Sequence, residues 1–245
     1  MLQHIYSFSA AFIFLLVFST SSLYAQGGVT DSANPQIIDK GAGVMTKAPD
    51  MGSNYEGTPY LFEAFTRGNA RSRDGEQFDN LLMNYNAYSD QIQIEYEGES
   101  YVLNEMQINS FSVQTADGRN MVFRNRLGSM EGEFDNLSYL QVLYEQQAGL
   151  YRKIDKKLIE GGAPLGYGNT RREPNRFVDE SQLYFRDGNG EFHKVSSRRR
   201  GVLRMFGEHR KEVRDFARRR NLDYDNQMHL TQMVMFYESQ LEEEG

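Results

Sequence analysis

Short segments that alternate apolar and polar residues recur along most of this chain, and turn dipeptides separate them. Gln91-Ile92-Gln93-Ile94-Glu95-Tyr96 puts Ile92, Ile94 and Tyr96 on one face and Gln91, Gln93 and Glu95 on the other. Ser110-Phe111-Ser112-Val113-Gln114 does the same. A period of two is that of a half-buried strand. Asp74-Gly75, Glu97-Gly98 and Asp117-Gly118 punctuate the pattern. An Asp-Gly pair suits a tight hairpin in which both central residues take positive φ. Residues 139–144 and 150–154 flank another turn, and Asp187-Gly188-Asn189-Gly190 joins residues 183–185 to 192–195. These signals predict about nine or ten short strands in an antiparallel meander, as a curved sheet or half-barrel with one buried face.

After Ser196 the period changes. Val202, Leu203 and Phe206 mark a first helix, broken at Gly207. Val213, Phe216 and Ala217 mark a second, from about Glu208 to Arg219. A third starts near residues 223–226 and carries Met228, Leu230, Thr231, Met233, Val234, Tyr237 and Leu241 on its apolar side. Amphipathic helices need a surface to bury against, and the sheet is the one at hand. The expected fold is therefore α+β: an antiparallel meander over residues 58–196 with the helices of residues 197–245 packed on it as part of the same domain.

Two segments interrupt the regular pattern. Residues 26–57 are rich in Gly, Ser, Asn, Asp and Pro and read as a flexible leader. Residues 160–180 contain Gly161-Gly162-Ala163-Pro164-Leu165-Gly166-Tyr167-Gly168 and read as a mobile loop.

Upstream, residues 10–18 form an uncharged apolar run, followed by a Ser/Thr-rich stretch and Leu23-Tyr24-Ala25. This reads as a secretory signal peptide cleaved after Ala25, although its start carries no Lys or Arg. An uncleaved anchor is the alternative, and the run is short for one, since a spanning helix needs about 20 apolar residues. The expected location is the periplasm or the exterior. The chain has no cysteine, which excludes lipidation at an N-terminal Cys, disulfides and thiolate metal ligands.

Charge is unevenly spread. The net charge of −7 argues against a general nucleic-acid binder. Residues 197–220 nevertheless hold ten Lys/Arg against three Asp/Glu, while residues 221–245 hold six acids and no Lys or Arg. Two arginine runs stand out: Arg198, Arg199 and Arg200, and Arg218, Arg219 and Arg220. Arginine offers planar, bidentate donors to phosphate and carboxylate. Either these runs are neutralised by Asp223, Asp225 and Glu242-Glu243-Glu244, or they form an anion- or partner-binding face.

Catalytic patterns are absent from the sequence. His193, His209 and His229 show no metal-ligand spacing and read as ordinary surface or partly buried histidines. The segment from Asp187 starts like a calcium loop but has Phe192 where the sixth position needs Gly, and Arg198 where the twelfth needs Glu. The Gly-rich stretch lacks the Lys-Ser/Thr of a phosphate loop, and no Gly-x-Ser-x-Gly elbow occurs. Glu131, Glu133 and Asp135 alternate, as a solvated turn or strand edge would. No metal, cofactor or catalytic residue is expected.

Gly57-Thr58-Pro59-Tyr60-Leu61, residues 82–91, residues 139–157 and the closing stretch 183–238 together resemble a group of uncharacterised secreted β-rich proteins of Bacteroidota-type Gram-negative bacteria. The resemblance implies a periplasmic or exported β-rich domain with a helical C-terminus, and carries no activity or site residue. The functional expectation is a non-enzymatic envelope protein that binds a partner protein or an anionic surface. A carrier of lipid or another apolar ligand between sheet and helices is the alternative, and a hydrolase with a dispersed site a third reading.

Overall fold

A computed structural model describes residues 45–48, 55–125, 138–162 and 173–244. The segment read as a signal peptide, the carboxylates Glu131, Glu133 and Asp135, and most of the Gly-rich stretch lie outside the described residues.

Alternation in the sequence becomes strands wherever the apolar set finds a common core. These are β1 (Met45–Lys47), β2 (Tyr55–Glu56), β3 (Thr66–Ser72), β4 (Gln77–Asn86), β5 (Gln91–Tyr96), β6 (Glu99–Leu103) and β7 (Ile108–Gln114). They continue with β8 (Asn120–Asn125), β9 (Tyr139–Glu145), β10 (Gly149–Lys153), β11 (Lys156–Ile159), β12 (Asn175–Asp179), β13 (Gln182–Arg186) and β14 (Phe192–Lys194). Eleven of them form one antiparallel sheet in the order β1-β6-β5-β4-β3-β7-β8-β9-β10-β13-β14. A second sheet, β11-β12-β2, contains the parallel pair β2/β12. The architecture is α+β, a large antiparallel sheet with three C-terminal helices on it.

Three differences from the sequence reading have plain causes. β1 and β2 fall inside the stretch read as a leader; their partners, β6 and β12, are remote in sequence and leave no local signature. Likewise β12 lies inside the stretch read as a loop. Of the three turn dipeptides, Glu97-Gly98 has both residues at positive φ, whereas at Asp74-Gly75 and Asp117-Gly118 only the glycine does. There the chain closes a longer loop, with Thr115 N–H donating to the Arg119 carbonyl and Gly118 N–H to the Thr115 carbonyl.

Curling of the sheet makes the first core. Phe111 and Phe123 are paired across β7 and β8 and stack with centroids 4.5 Å apart. Tyr85 of β4 lies 5.4 Å from Phe123, and Tyr139 of β9 lies edge-on to Phe111 at 5.1 Å. Leu81, Met83, Ile92, Ile94 and Val113 complete the cluster, each at most 1% exposed. The other face of β4 and β5 is not simply wet. The segment before β3 lies on it, so Asn84 and Gln93 are buried and bonded: Asn84 Oδ1 accepts from Phe62 N–H at 3.3 Å, and Tyr60 OH donates to Gln93 Oε1 at 3.0 Å.

The helices are α1 (Arg199–Met205), α2 (Arg210–Arg220) and α3 (Gln227–Glu244), with a short 3₁₀ turn at Gly207–His209. Gly207 takes φ 55° and makes the expected break. Asn221 ends α2 in the left-handed conformation, its N–H donating to Ala217 and Arg218 carbonyls. Asn226 starts α3, its Oδ1 accepting from Met228 and His229 N–H groups. Leu230, Met233, Val234 and Tyr237 are buried, spaced for one helical face. Met228, read as part of that face, points to solvent and is 69% exposed. Phe185 of β13, Phe206 and Tyr237 meet within 5.2–5.6 Å and fill the space between sheet and helices with Val202 and Val234. No helix among the described residues is long and apolar enough to cross a membrane.

Candidate functional site

A groove with a volume of about 960 Å³ opens where α1 meets the edge strand β14. Lys194, Arg198, Arg200 and Arg204 line it, with Asp187 and His193 on the sheet side. The local fold follows from small residues. Ser196 Oγ accepts the N–H of Arg198 at 3.1 Å, and Gly201 lies so close to Ser196 that a Cβ would come within 2.3 Å of it. That contact seats α1 against the strand and turns Arg198, Arg200 and Arg204 toward the groove.

Electrostatics set the character of this groove. Lys194, Arg198, Arg200 and Arg204 are exposed, and no carboxylate among the described residues pairs with any of them. Arg200 and Arg204 are one turn apart on α1, and like charges at that spacing oppose the helix by a few tenths of a kcal/mol. No acidic residue lies in the first turn of α1 to offset them. An incoming anion would relieve this repulsion, and the guanidinium groups could engage phosphate or carboxylate oxygens in pairs.

The two arginine runs part company. From the first, Arg198 and Arg200 face the groove, while Arg199 lies over the Tyr224 ring at 5.1 Å. From the second, Arg218, Arg219 and Arg220 occupy the last turn of α2, where positive charge suits the helix dipole. Arg218 pairs with Asp215 at 3.8 Å, and none of the three lines the groove. Among the described side chains the acids that follow do not pair with the arginine runs; the side chains of Glu243 and Glu244 lie outside them. Asp223 instead lies 3.7 Å from His229, which accepts its backbone N–H at 3.0 Å. No ion pair among the described residues joins either arginine run to Asp223, Asp225 or Glu242.

Sequence reading missed Lys194, Arg204 and the pairing of His193 with Asp187. His193 Nε2 stands 3.0 Å from Asp187 Oδ2, and its ring stacks on Phe185 at 6.1 Å. Asp187 Oδ1 accepts the N–H groups of Asn189 at 2.9 Å and Glu191 at 3.0 Å. Burial alone would push the Asp187 carboxyl up, but the bond to His193 first, and then the two backbone N–H groups, outweigh it and hold the group below the usual carboxylate range. The signal was present: in a hairpin turning at 188–190, residues 187 and 193 share one end and one face. Glu191 joins them, so that one ligand atom from each of the three side chains lies within 4.8 Å of the others. His209 is buried against Tyr237, centroids 5.4 Å apart.

No family model matches the chain, and no match was found among the curated proteins or the solved structures.

Proposed function

We propose that this chain is an exported, non-enzymatic binding protein of the cell envelope, and that its groove between β14 and α1 holds anionic groups of a membrane surface or an acidic partner protein. The observation that carries the reading is the gathering of Lys194, Arg198, Arg200 and Arg204 around one open groove with no carboxylate partner among the described residues. A run of like charge kept only for solubility would be spread over the surface. The apolar-carrier reading is less well supported, because Phe185, Phe206, Tyr237, Val202 and Val234 fill the sheet–helix interface in which such a ligand would sit.

The test uses the whole chain and its Arg198→Gln/Arg200→Gln/Arg204→Gln variant. Both are sedimented with vesicles containing phosphatidylglycerol or only neutral lipid, and titrated with polyglutamate. The expected result is recovery on at least one of the two anions, weakened by salt as exposed charges are, and lost in the variant. Recovery on neither anion, or undiminished recovery of a folded variant, overturns the proposal.

A further inference from the structure

We infer that the hairpin joining β13 and β14 binds a first-row divalent metal ion of the zinc class, through the carboxylates of Asp187 and Glu191 and the imidazole of His193. The inference stands apart from the anion reading, because it rests on the hairpin rather than on the arginines of α1.

Backbone geometry brings the three side chains together. Asp187 N–H donates to the Glu191 carbonyl at 2.9 Å, and Gly190 N–H donates to the Asp187 carbonyl at 3.0 Å. Gly190 takes φ 88° to close this turn. Asp187 and Glu191 are thereby held opposite each other. His193 lies two residues beyond Glu191, and side chains two apart on a strand project from the same face.

The separations suit a small ion. Ligand atoms around a tetrahedral zinc with bonds of about 2.1 Å stand about 3.4 Å apart. Asp187 Oδ2 and His193 Nε2 are already 3.0 Å apart, so an ion entering between them replaces one hydrogen bond and widens the gap by a few tenths of an ångström. The ring then carries its proton on Nδ1 and presents an unprotonated Nε2. The largest adjustment falls to Glu191, whose exposed carboxylate has no other bonding partner among the described residues.

Outer hydrogen bonds fix one of the three ligands, Asp187, as a metal site requires of its ligands. Two backbone donors hold Asp187 Oδ1 and leave Oδ2 for the ion, and the imidazole lies beside the Phe185 ring, centroids 6.1 Å apart. One nitrogen and two carboxylates favour zinc-class ions over calcium, which takes six to eight oxygens. Three protein ligands leave a fourth position open. The two carboxylates offset the charge of the ion, while Lys194 and the arginines oppose it and hold the affinity down.

The experiment is a calorimetric titration of Zn²⁺ into the untagged, EDTA-stripped whole chain in phosphate-free buffer, with melting curves alongside. The expected result is one ion per chain and a raised Tm, with binding at least about tenfold weaker in both His193→Gln and Glu191→Gln. Glu191→Gln guards against a folding artefact, since it disturbs no other side-chain bond. Binding in the Arg198→Gln/Arg200→Gln/Arg204→Gln variant should be as tight or tighter, because neighbouring positive charge has been removed. No binding, unchanged affinity in a folded Glu191→Gln variant, or weaker binding in the arginine variant overturns the inference.

Discussion

The ammonium group of Lys153, at the end of β10, meets the carboxylate of Asp90, in the turn between β4 and β5. Along the sheet β10 is five places from β4. In a flat sheet that distance is about 24 Å, so the contact exists only because the sheet curls round its aromatic core. Tyr85 OH donates to Asp90 Oδ1 at 2.5 Å, the Tyr139 N–H reaches the same oxygen at 3.2 Å, and Lys156 N–H reaches the Ala87 carbonyl at 3.4 Å. The turn thus clasps β9 and β10 and closes one end of the curl.

Removing one side of this clasp leaves the other charge half-buried and unpaired. Lys153→Met is expected to cost about 2–3 kcal/mol, toward the low end for a buried pair because Asp90 keeps some solvent. Asp90→Asn should cost a similar amount, and the double variant less than the two together. Denaturant unfolding of the four proteins gives the coupling energy. Additive costs would mean that the pair contributes nothing beyond its separate members.

Tyr85, Tyr139 and Tyr151 are each at most 1% exposed, and burial first, then neighbouring carboxylates, pushes all three hydroxyls up. The unfolded chain releases these protons near pH 10, whereas the folded chain keeps them. Stability is therefore fully present below about pH 10 and lost above it, by about 1.4 kcal/mol per pH unit for each tyrosine still protonated in the fold. Phenolate absorbance and circular dichroism followed together from pH 8 upward should show these tyrosines ionising only as the chain unfolds. Ionisation of every tyrosine with the fold intact would contradict it.

Gly68 is a third pressure point. A Cβ there would lie 2.3 Å from the Ser112 carbonyl oxygen and 2.4 Å from Met83 Sδ. Gly68→Ala is expected to destabilise by about 1–3 kcal/mol through overpacking. Met83 could shift, but the Ser112 carbonyl belongs to the β7 backbone and cannot. Adding Met83→Ala to Gly68→Ala should therefore fail to restore stability, and thermal melts of the two variants decide this.

The strand pattern was legible because each strand keeps its own alternation, as in Ile92 and Ile94, whatever its neighbours are. The helices were legible from Val202, Val213 and Val234 for the same reason. Long-range closure left no such trace: nothing near Asp90 or Lys153 in sequence announces that they meet. At the groove, the arginine run was visible, but its division was not. Arg199 turns to Tyr224 and Arg198 to the groove because α1 begins at that point, a boundary that residue types alone do not set. Asp187 and His193 were visible only as turn and strand residues until the hairpin register placed them side by side.

Glu238 ties the helical layer to the sheet. Its side chain on α3 is buried, and its two oxygens accept the successive N–H groups of Gln147 at 3.1 Å and Ala148 at 2.6 Å in the turn between β9 and β10. The two amides gain charged acceptors, and α3 gains a fixed docking point beside Tyr237 and Phe185. Glu238→Gln keeps the shape but can present only one oxygen, so one amide must meet an NH₂ group. The expected loss is about 1–3 kcal/mol, the range for a charged hydrogen bond or an unsatisfied buried donor. Hydrogen exchange should quicken at Ala148 and along α3, while the amides of β4 and β7, in the other core, change only as far as global stability does. Uniform quickening through both cores would show that the contact stabilises the domain as one cooperative unit rather than anchoring the helices to one end of the sheet.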